Sequence, residues 1–90
     1  MVEYKKPVHE LMNNAKQDCA AERWVDAADK VRSAYRLLSS ASRFTRIDPD
    51  WLDAHQIYYL EYGGITAKLK DHGFDLWNEG IEGFLRQIRN

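Results

Sequence analysis

Residues 24–41 read W-V-D-A-A-D-K-V-R-S-A-Y-R-L-L-S-S-A and contain a clear helical pattern. Apolar and aromatic side chains recur in this stretch at alternating steps of four and three residues, which places them on one side of an α-helix. They are Trp24, Ala28, Val31, Tyr35 and Leu38. Alanines at positions 27, 34 and 41 flank this stripe, and small side chains let a neighbouring helix approach closely. We therefore expect a helix over 24–41 and expect it to be the central packing helix.

A second stripe precedes it. Pro7 suits the first position of a helix, where a missing N–H costs nothing. Apolar side chains follow at helical spacing, at Val8, Leu11, Met12, Ala15 and Cys19. This stripe predicts a helix over 7–21. On one continuous helix, this stripe and the stripe over 24–41 would lie on different sides. The chain is therefore expected to turn around residues 21–23; a single long helix is the alternative.

The clearest helix start is D-P-D-W at positions 48–51. Asp48 can cap the first turn, Pro49 pre-sets the backbone and Asp50 favours the helix dipole. The stripe that follows predicts a helix over 49–70, and it consists of Trp51, His55, Tyr58, Tyr62, Ile65 and Leu69. Gly63 and Gly64 interrupt it, which indicates either a kink or a close neighbouring backbone.

Gly73 is typical of the residue in left-handed conformation that ends an α-helix. A fourth apolar stripe follows it. This stripe predicts a helix over 75–89 and consists of Trp77, Ile81, Phe84, Leu85 and Ile88. No segment has the alternating pattern of a β-strand. The sequence thus predicts an all-α fold in one domain, residues 1–90: a bundle of about four helices, paired as hairpins, over 7–21, 24–41, 49–70 and 75–89.

Composition narrows the function. The chain has 90 residues, one cysteine and a net charge of −1, which indicates a small globular domain without internal disulfides. Neither a leader peptide nor a membrane span is recognisable, so we expect a cytoplasmic protein. Histidines and acids lack the spacing of metal ligands, and no nucleophile motif or phosphate-binding loop occurs. We expect no enzyme activity, no metal site and no cofactor.

Basic residues are unevenly distributed. Residues 21–47 carry six Arg or Lys against three acids, whereas residues 48–90 carry four against eight. Four arginines form a candidate anion or nucleic-acid edge close to Phe44: Arg32, Arg36, Arg43 and Arg46. Arginine beside an aromatic ring suits phosphate contact and base stacking. A nucleic-acid-binding helical protein is therefore one alternative, although the slightly negative net charge of the whole chain does not favour it.

Aromatic residues favour a different function. The chain contains eleven Trp, Tyr and Phe residues, and its helical stripes use only seven of them. Residues off the stripes are expected to form a partner-binding surface, and the candidates are Tyr4, Phe44, Ile57, Tyr59 and Leu60. Clustered exposed aromatics and aliphatics are typical of interfaces. We expect a protein-binding module, such as a small regulator or inhibitor, whose partner is another protein; a self-associating structural protein, binding a second copy, is the other alternative.

Two short segments resemble known families. Residues 24–34 resemble the second helix of a tetratricopeptide repeat, with Trp24, Ala27, Val31 and Ala34 at its aromatic, small, bulky and small positions. No copy follows at the period of such repeats. Residues 77–84, W-N-E-G-I-E-G-F, are similar to a C-terminal segment of small phage anti-sigma proteins, which are also helical. Each resemblance covers a small part of the chain, so neither is taken as family membership.

Overall fold

The computed structural model describes residues 3–76 and Gly80. Within them the chain forms helices α1 (Lys5–Ala20), α2 (Trp24–Ser39) and α3 (Pro49–Asp71), with a 3₁₀ turn over Thr45–Ile47 before α3. The all-α bundle is confirmed, with three helices in the described residues where four were predicted. The predicted helix over 75–89 lies mostly outside these residues. Its described positions are not helical, and Gly80 has a φ of +88°, which a continuous helix through 75–89 does not allow.

Helix α1, and not α2, is the central element of the described residues. It packs extensively against both α2 and α3, whereas α2 and α3 contact each other much less. The buried side chains of α1 are Val8, Met12, Ala15, Asp18 and Cys19. The expectation for α2 was wrong because its alanines indicate close packing against one neighbour without indicating how many neighbours there are. Ala27, Ala28 and Ala34 are fully buried.

Trp51 is the large aromatic anchor of the core. It is only 2% exposed, and its indole N–H donates a hydrogen bond of 3.1 Å to the backbone carbonyl of Leu38, which ties the start of α3 to the end of α2. Trp24 lies at the margin instead. It is half-buried, and its ring stacks on that of His72 with centroids 3.7 Å apart.

The turn between α1 and α2 is made without glycine. The N–H of Arg23 donates to the carbonyl of Asp18 at 2.7 Å, and the N–H of Glu22 donates to that of Cys19 at 3.1 Å. This is the Schellman pattern of helix termination, which needs a left-handed residue, and Glu22 supplies it with a φ of 61°. A non-glycine residue costs about 1–2 kcal/mol in that conformation. The predicted turn around residues 21–23 is therefore confirmed, and it is held under strain.

The side chain of Asp18 joins α1, the turn and α2. Its carboxylate is buried, and one oxygen accepts two hydrogen bonds from the Arg23 guanidinium, at 3.0 and 2.7 Å. The other oxygen accepts a short hydrogen bond from the Lys30 ammonium. The Lys30 hydrogen bond is the largest cause that lowers the pKa of Asp18; burial opposes it and Arg23 reinforces it. Arg23 and Lys30 are both partly solvated, so only the Asp18 carboxylate bears the full desolvation cost of a buried ion.

Helix α3 begins and ends near its predicted limits, with one correction at its start. Asp48 occupies the N-cap position, but its side chain makes no capping hydrogen bond. Asp50 has the structural role instead, since its carboxylate accepts the backbone N–H of Tyr4 at 2.7 Å. The helix continues through Gly63 and Gly64, and an added Cβ at either would meet no atom within 4 Å. Gly73, with a φ of +91°, ends the helix as predicted.

We predict that Trp51→Ala lowers the free energy of unfolding by about 3–5 kcal/mol, because it removes a fully packed indole and its hydrogen bond. Trp24→Ala should cost about 1–2 kcal/mol, because less apolar area is lost. Urea unfolding followed by circular dichroism measures both. Equal losses for the two variants would contradict the assignment of Trp51 as the anchor.

We also predict that Asp18 makes the fold acid-labile. Its folded pKa is lowered, so its stabilising contribution is present above the unfolded value of about 3.9 and is lost as the pH falls through the folded value. Asp18→Asn should be less stable at pH 7 and lose less additional stability between about pH 5 and pH 2 than the native chain. Urea unfolding at a series of pH values measures this.

The matched control for Asp18→Asn is Asp29→Asn. Asp29 pairs with Arg32 at 3.4 Å on the surface, with its side chain 65% exposed, so its removal should leave the pH dependence almost unchanged. If Asp18→Asn and Asp29→Asn give the same pH profile, Asp18 has no special role.

Candidate functional site

The five residues predicted to bind a partner do not form one surface. Tyr4 is only 5% exposed and belongs to the core. The prediction that it lies on a partner surface is wrong, because the segment before α1 is held against α3 by the hydrogen bond from its N–H to Asp50. The other four residues divide between two places, the connection of α2 to α3 and the middle of α3.

The first place is the connection together with the first turn of α3, where three exposed apolar residues lie close together in sequence. They are here called the connection surface: Phe44, Ile47 and Leu52. Phe44 is 79% exposed, Ile47 is 72% exposed and Leu52 is exposed to a smaller extent. Phe44 precedes the 3₁₀ turn and Ile47 ends it. Side chains three residues apart eclipse each other in 3₁₀ geometry, so these two stand one above the other.

The connection surface is carried by a hydrogen-bonded turn. The Ser42 hydroxyl accepts the N–H of Thr45 at 3.1 Å and pairs with the Thr45 hydroxyl at 2.8 Å. The N–H of Arg46 donates to the carbonyl of Ser42, and its guanidinium donates to the carbonyl of Ser39 at 3.3 Å. These hydrogen bonds hold the backbone that carries Phe44 and Ile47.

The second place is a stripe along α3, here called the outer face: Leu60, Gly63, Gly64 and Ala67. All four residues are exposed, and Leu60 is 68% exposed. Tyr59 lies at one edge of the stripe and is exposed, with its ring 6.3 Å from that of His55. Ile57 was predicted to be exposed with Leu60 but is half-buried beside α1, where it lines grooves with His9.

The four arginines of the predicted basic edge differ in their surroundings. Arg32 is half-buried and pairs with Asp29, and Arg46 is half-buried and holds the turn through Ser39. Arg36 and Arg43 are exposed. Two of the four guanidiniums therefore have a structural contact, and only Arg43 is adjacent in sequence to the exposed ring of Phe44.

Two titratable side chains that could take part in chemistry, His55 and Cys19, have shifted pKa values. Burial lowers the pKa of His55, whose Nε2 is buried without a hydrogen-bond partner and whose ring stacks on Trp51 at 5.5 Å. Burial raises the pKa of the Cys19 thiol, Asp18 raises it further, and Lys68 partly opposes them. Both shifts favour neutral side chains at neutral pH. Within residues 3–76 and Gly80, no His, Cys, Asp and Glu side chains group in a way that could hold a metal ion.

Sequence reasoning missed Ile47 and Leu52. The available signal was weak: Ile47 is the one large aliphatic residue in the mainly polar run S-S-A-S-R-F-T-R-I, and Leu52 lies beside Trp51 but off its stripe. It also missed the ionic role of Asp18, because its partners are separated from it by five and twelve positions and converge only through the turn.

Comparison of the chain with protein-family models, with curated proteins and with solved structures finds no match. As for membranes, none of the helices in the described part of the chain has both the length and the apolar character that crossing a bilayer requires.

We predict that Cys19 is poorly reactive in the folded protein, because it is buried and its pKa is raised, so little thiolate forms. Labelling by a disulfide reagent at pH 8 should be much slower without urea than in urea that unfolds the chain. A native rate close to the unfolded rate would mean that the thiol is accessible.

Proposed function

We propose that this protein is a non-enzymatic interaction module that binds a partner protein, as a small regulator or inhibitor, through the connection surface. The observation that carries the proposal is the pair formed by Phe44 and Ile47, which are 79% and 72% exposed on one rigid turn. An aromatic and an aliphatic side chain standing together in water are costly unless a partner covers them.

The composition around the pair fits a protein interface. Arg43 is exposed and adjacent in sequence to Phe44, and Leu52 is a further exposed apolar residue on the first turn of α3. Aromatic residues and arginine are the side chains enriched where binding energy concentrates, and apolar groups at the centre of a polar rim exclude water. A partner with an apolar pocket and an acidic rim would complement this arrangement.

Nucleic acid is the second candidate, since Arg36, Arg43 and the Phe44 ring could contact phosphate and stack on a base. Two features favour a protein over it. Ile47 and Leu52 have no use in stacking, and three carboxylates follow the turn at positions 48, 50 and 53, where they would repel a phosphate backbone.

The test is a pull-down from native lysate with the tagged full chain, followed by mass spectrometry and a direct affinity measurement on each captured protein. Phe44→Ser/Ile47→Ser should lose the partner, weakening its binding by about 30-fold or more. Val25→Ser is the matched control, because Val25 is 60% exposed on α2, and it should retain the partner. A partner held equally by all three chains would refute the assignment of this surface.

The salt dependence of binding distinguishes nucleic-acid binding from protein binding. Retention on heparin or single-stranded DNA that falls steeply with salt, and that is lost in Arg36→Glu/Arg43→Glu, would replace the proposal with nucleic-acid binding. We expect no such retention.

A further inference from the structure

A shallow hollow opens beside the turn between α1 and α2, at the opposite end of α2 from the connection surface. Its volume is about 330 Å³, which is within the range of sites that take a side chain or a small ligand. Two acidic residues, two aromatic residues, an arginine and a valine line it: Glu22, Asp26, Trp24, Phe74, Arg23 and Val25.

Negative charge is in excess around this hollow. Glu22 and Asp26 are exposed, and neither has an ion pair in the part of the chain that the structure describes. Arg23 also lines the hollow, but its guanidinium donates two hydrogen bonds to Asp18. Lys30 binds the other oxygen of that carboxylate, so this ionic group has one excess positive charge against two unpaired carboxylates. The hollow therefore favours a cation.

The aromatic residues of the hollow suit a cation as well. Trp24 and Phe74 are both half-buried, so each is partly accessible. The ring of His72 stacks on that of Trp24 with centroids 3.7 Å apart, which holds the indole in place. Aromatic rings attract ammonium and guanidinium groups. Lys70, at the same end of α3, is accompanied by Asp71 and does not reverse the charge balance.

Glu22 is an unfavourable residue for the fold alone. Its φ of 61° would be less strained with glycine, and its side chain forms no ion pair or hydrogen bond within the described residues that would offset the strain. Asp26 differs, because the first turn of α2 favours an acid through the helix dipole. A strained residue without a structural contact is typical of functional positions.

We propose that this hollow binds a lysine or arginine side chain of a partner protein. Glu22 and Asp26 would contact the cation, and Trp24 and Phe74 would cover its alkyl stem. Val25, which is 60% exposed, would meet an apolar neighbour of the basic residue in the partner. The inference is independent of the connection surface, because the 16 residues of α2 separate the two sites by about 24 Å.

Two-dimensional ¹H–¹⁵N NMR on the full chain at about 0.15 M salt, where unspecific attraction between surface charges is screened, tests the site. The probes are blocked Leu-Lys-Leu and Leu-Arg-Leu peptides, the neutral Leu-Gln-Leu peptide, and butylammonium, which is a lysine side chain without its backbone. The basic peptides should shift the Trp24 indole signal and the amide signals of residues 22–26 in a saturable manner. Leu-Gln-Leu should not, and butylammonium should bind at least about fivefold more weakly than Leu-Lys-Leu.

Variants connect the binding to the two carboxylates. Glu22→Gln/Asp26→Asn should weaken binding of the basic peptides by about tenfold. Asp29→Asn is the matched control, because it removes an exposed carboxylate of the same helix that does not line the hollow; it should bind as the native chain does. Glu22→Gly should weaken binding while raising the urea midpoint of unfolding, which a purely structural role of Glu22 would not produce.

Four results would each overturn the proposal. They are a Trp24 indole signal that neither basic peptide moves, a Leu-Gln-Leu peptide that binds as tightly as the basic ones, and a Glu22→Gln/Asp26→Asn chain that binds like the native one. The fourth is butylammonium binding as tightly as Leu-Lys-Leu, because the hollow would then take a small amine and not a protein side chain.

Discussion

The carboxylate of Asp18 joins the first two helices to the turn between them. It lies at the end of α1, beneath the turn, and is shared by Arg23 in the turn and Lys30 in α2. The backbone around it reverses direction through a left-handed glutamate, where glycine would have been less costly. The two ionic contacts offset that strain by joining the end of α1 to the turn and to α2. With this hairpin set, α1 still has an apolar side left for α3.

The helices could be predicted from sequence because the local signals agree with the fold. The stripes starting at Val8, Trp24 and Trp51 each predicted a helix within a few residues of its observed limits. The periodicity of one helix shows which side is apolar, but not how many neighbours cover it. For this reason the sequence pattern indicates α2 as the central element, whereas α1 packs against both other helices and Trp24 of α2 is only half-buried. Asp48 is also a residue type that caps helices, and it occupies the N-cap position. Whether its side chain accepts a hydrogen bond from the first turn depends on the preceding connection, and here it does not.

The candidate surfaces were predictable only in part, for a related reason. Residues off the stripes are either exposed or covered by segments distant in sequence, and the sequence does not distinguish the two. Phe44 and Leu60 are exposed as expected, while Tyr4 is buried because a carboxylate 46 positions away binds its backbone. The exposed residues then fall into two sets of different character. One is a projecting apolar pair on a stiff turn, and the other is a smooth stretch of helix, which suit different kinds of neighbour.

The central position of α1 has a consequence for how the chain assembles. The contacts of α1 with α2 join positions close in sequence, so the hairpin closes a short loop and can form early. The contacts of α1 with α3 bring together Tyr4 and Asp50, or Lys5 and Asp53, and must wait for a much longer segment. During synthesis, α1 therefore keeps part of its apolar surface uncovered until α3 has emerged from the ribosome and can pack against it. Apolar surface that is exposed in that interval makes the nascent hairpin prone to aggregation.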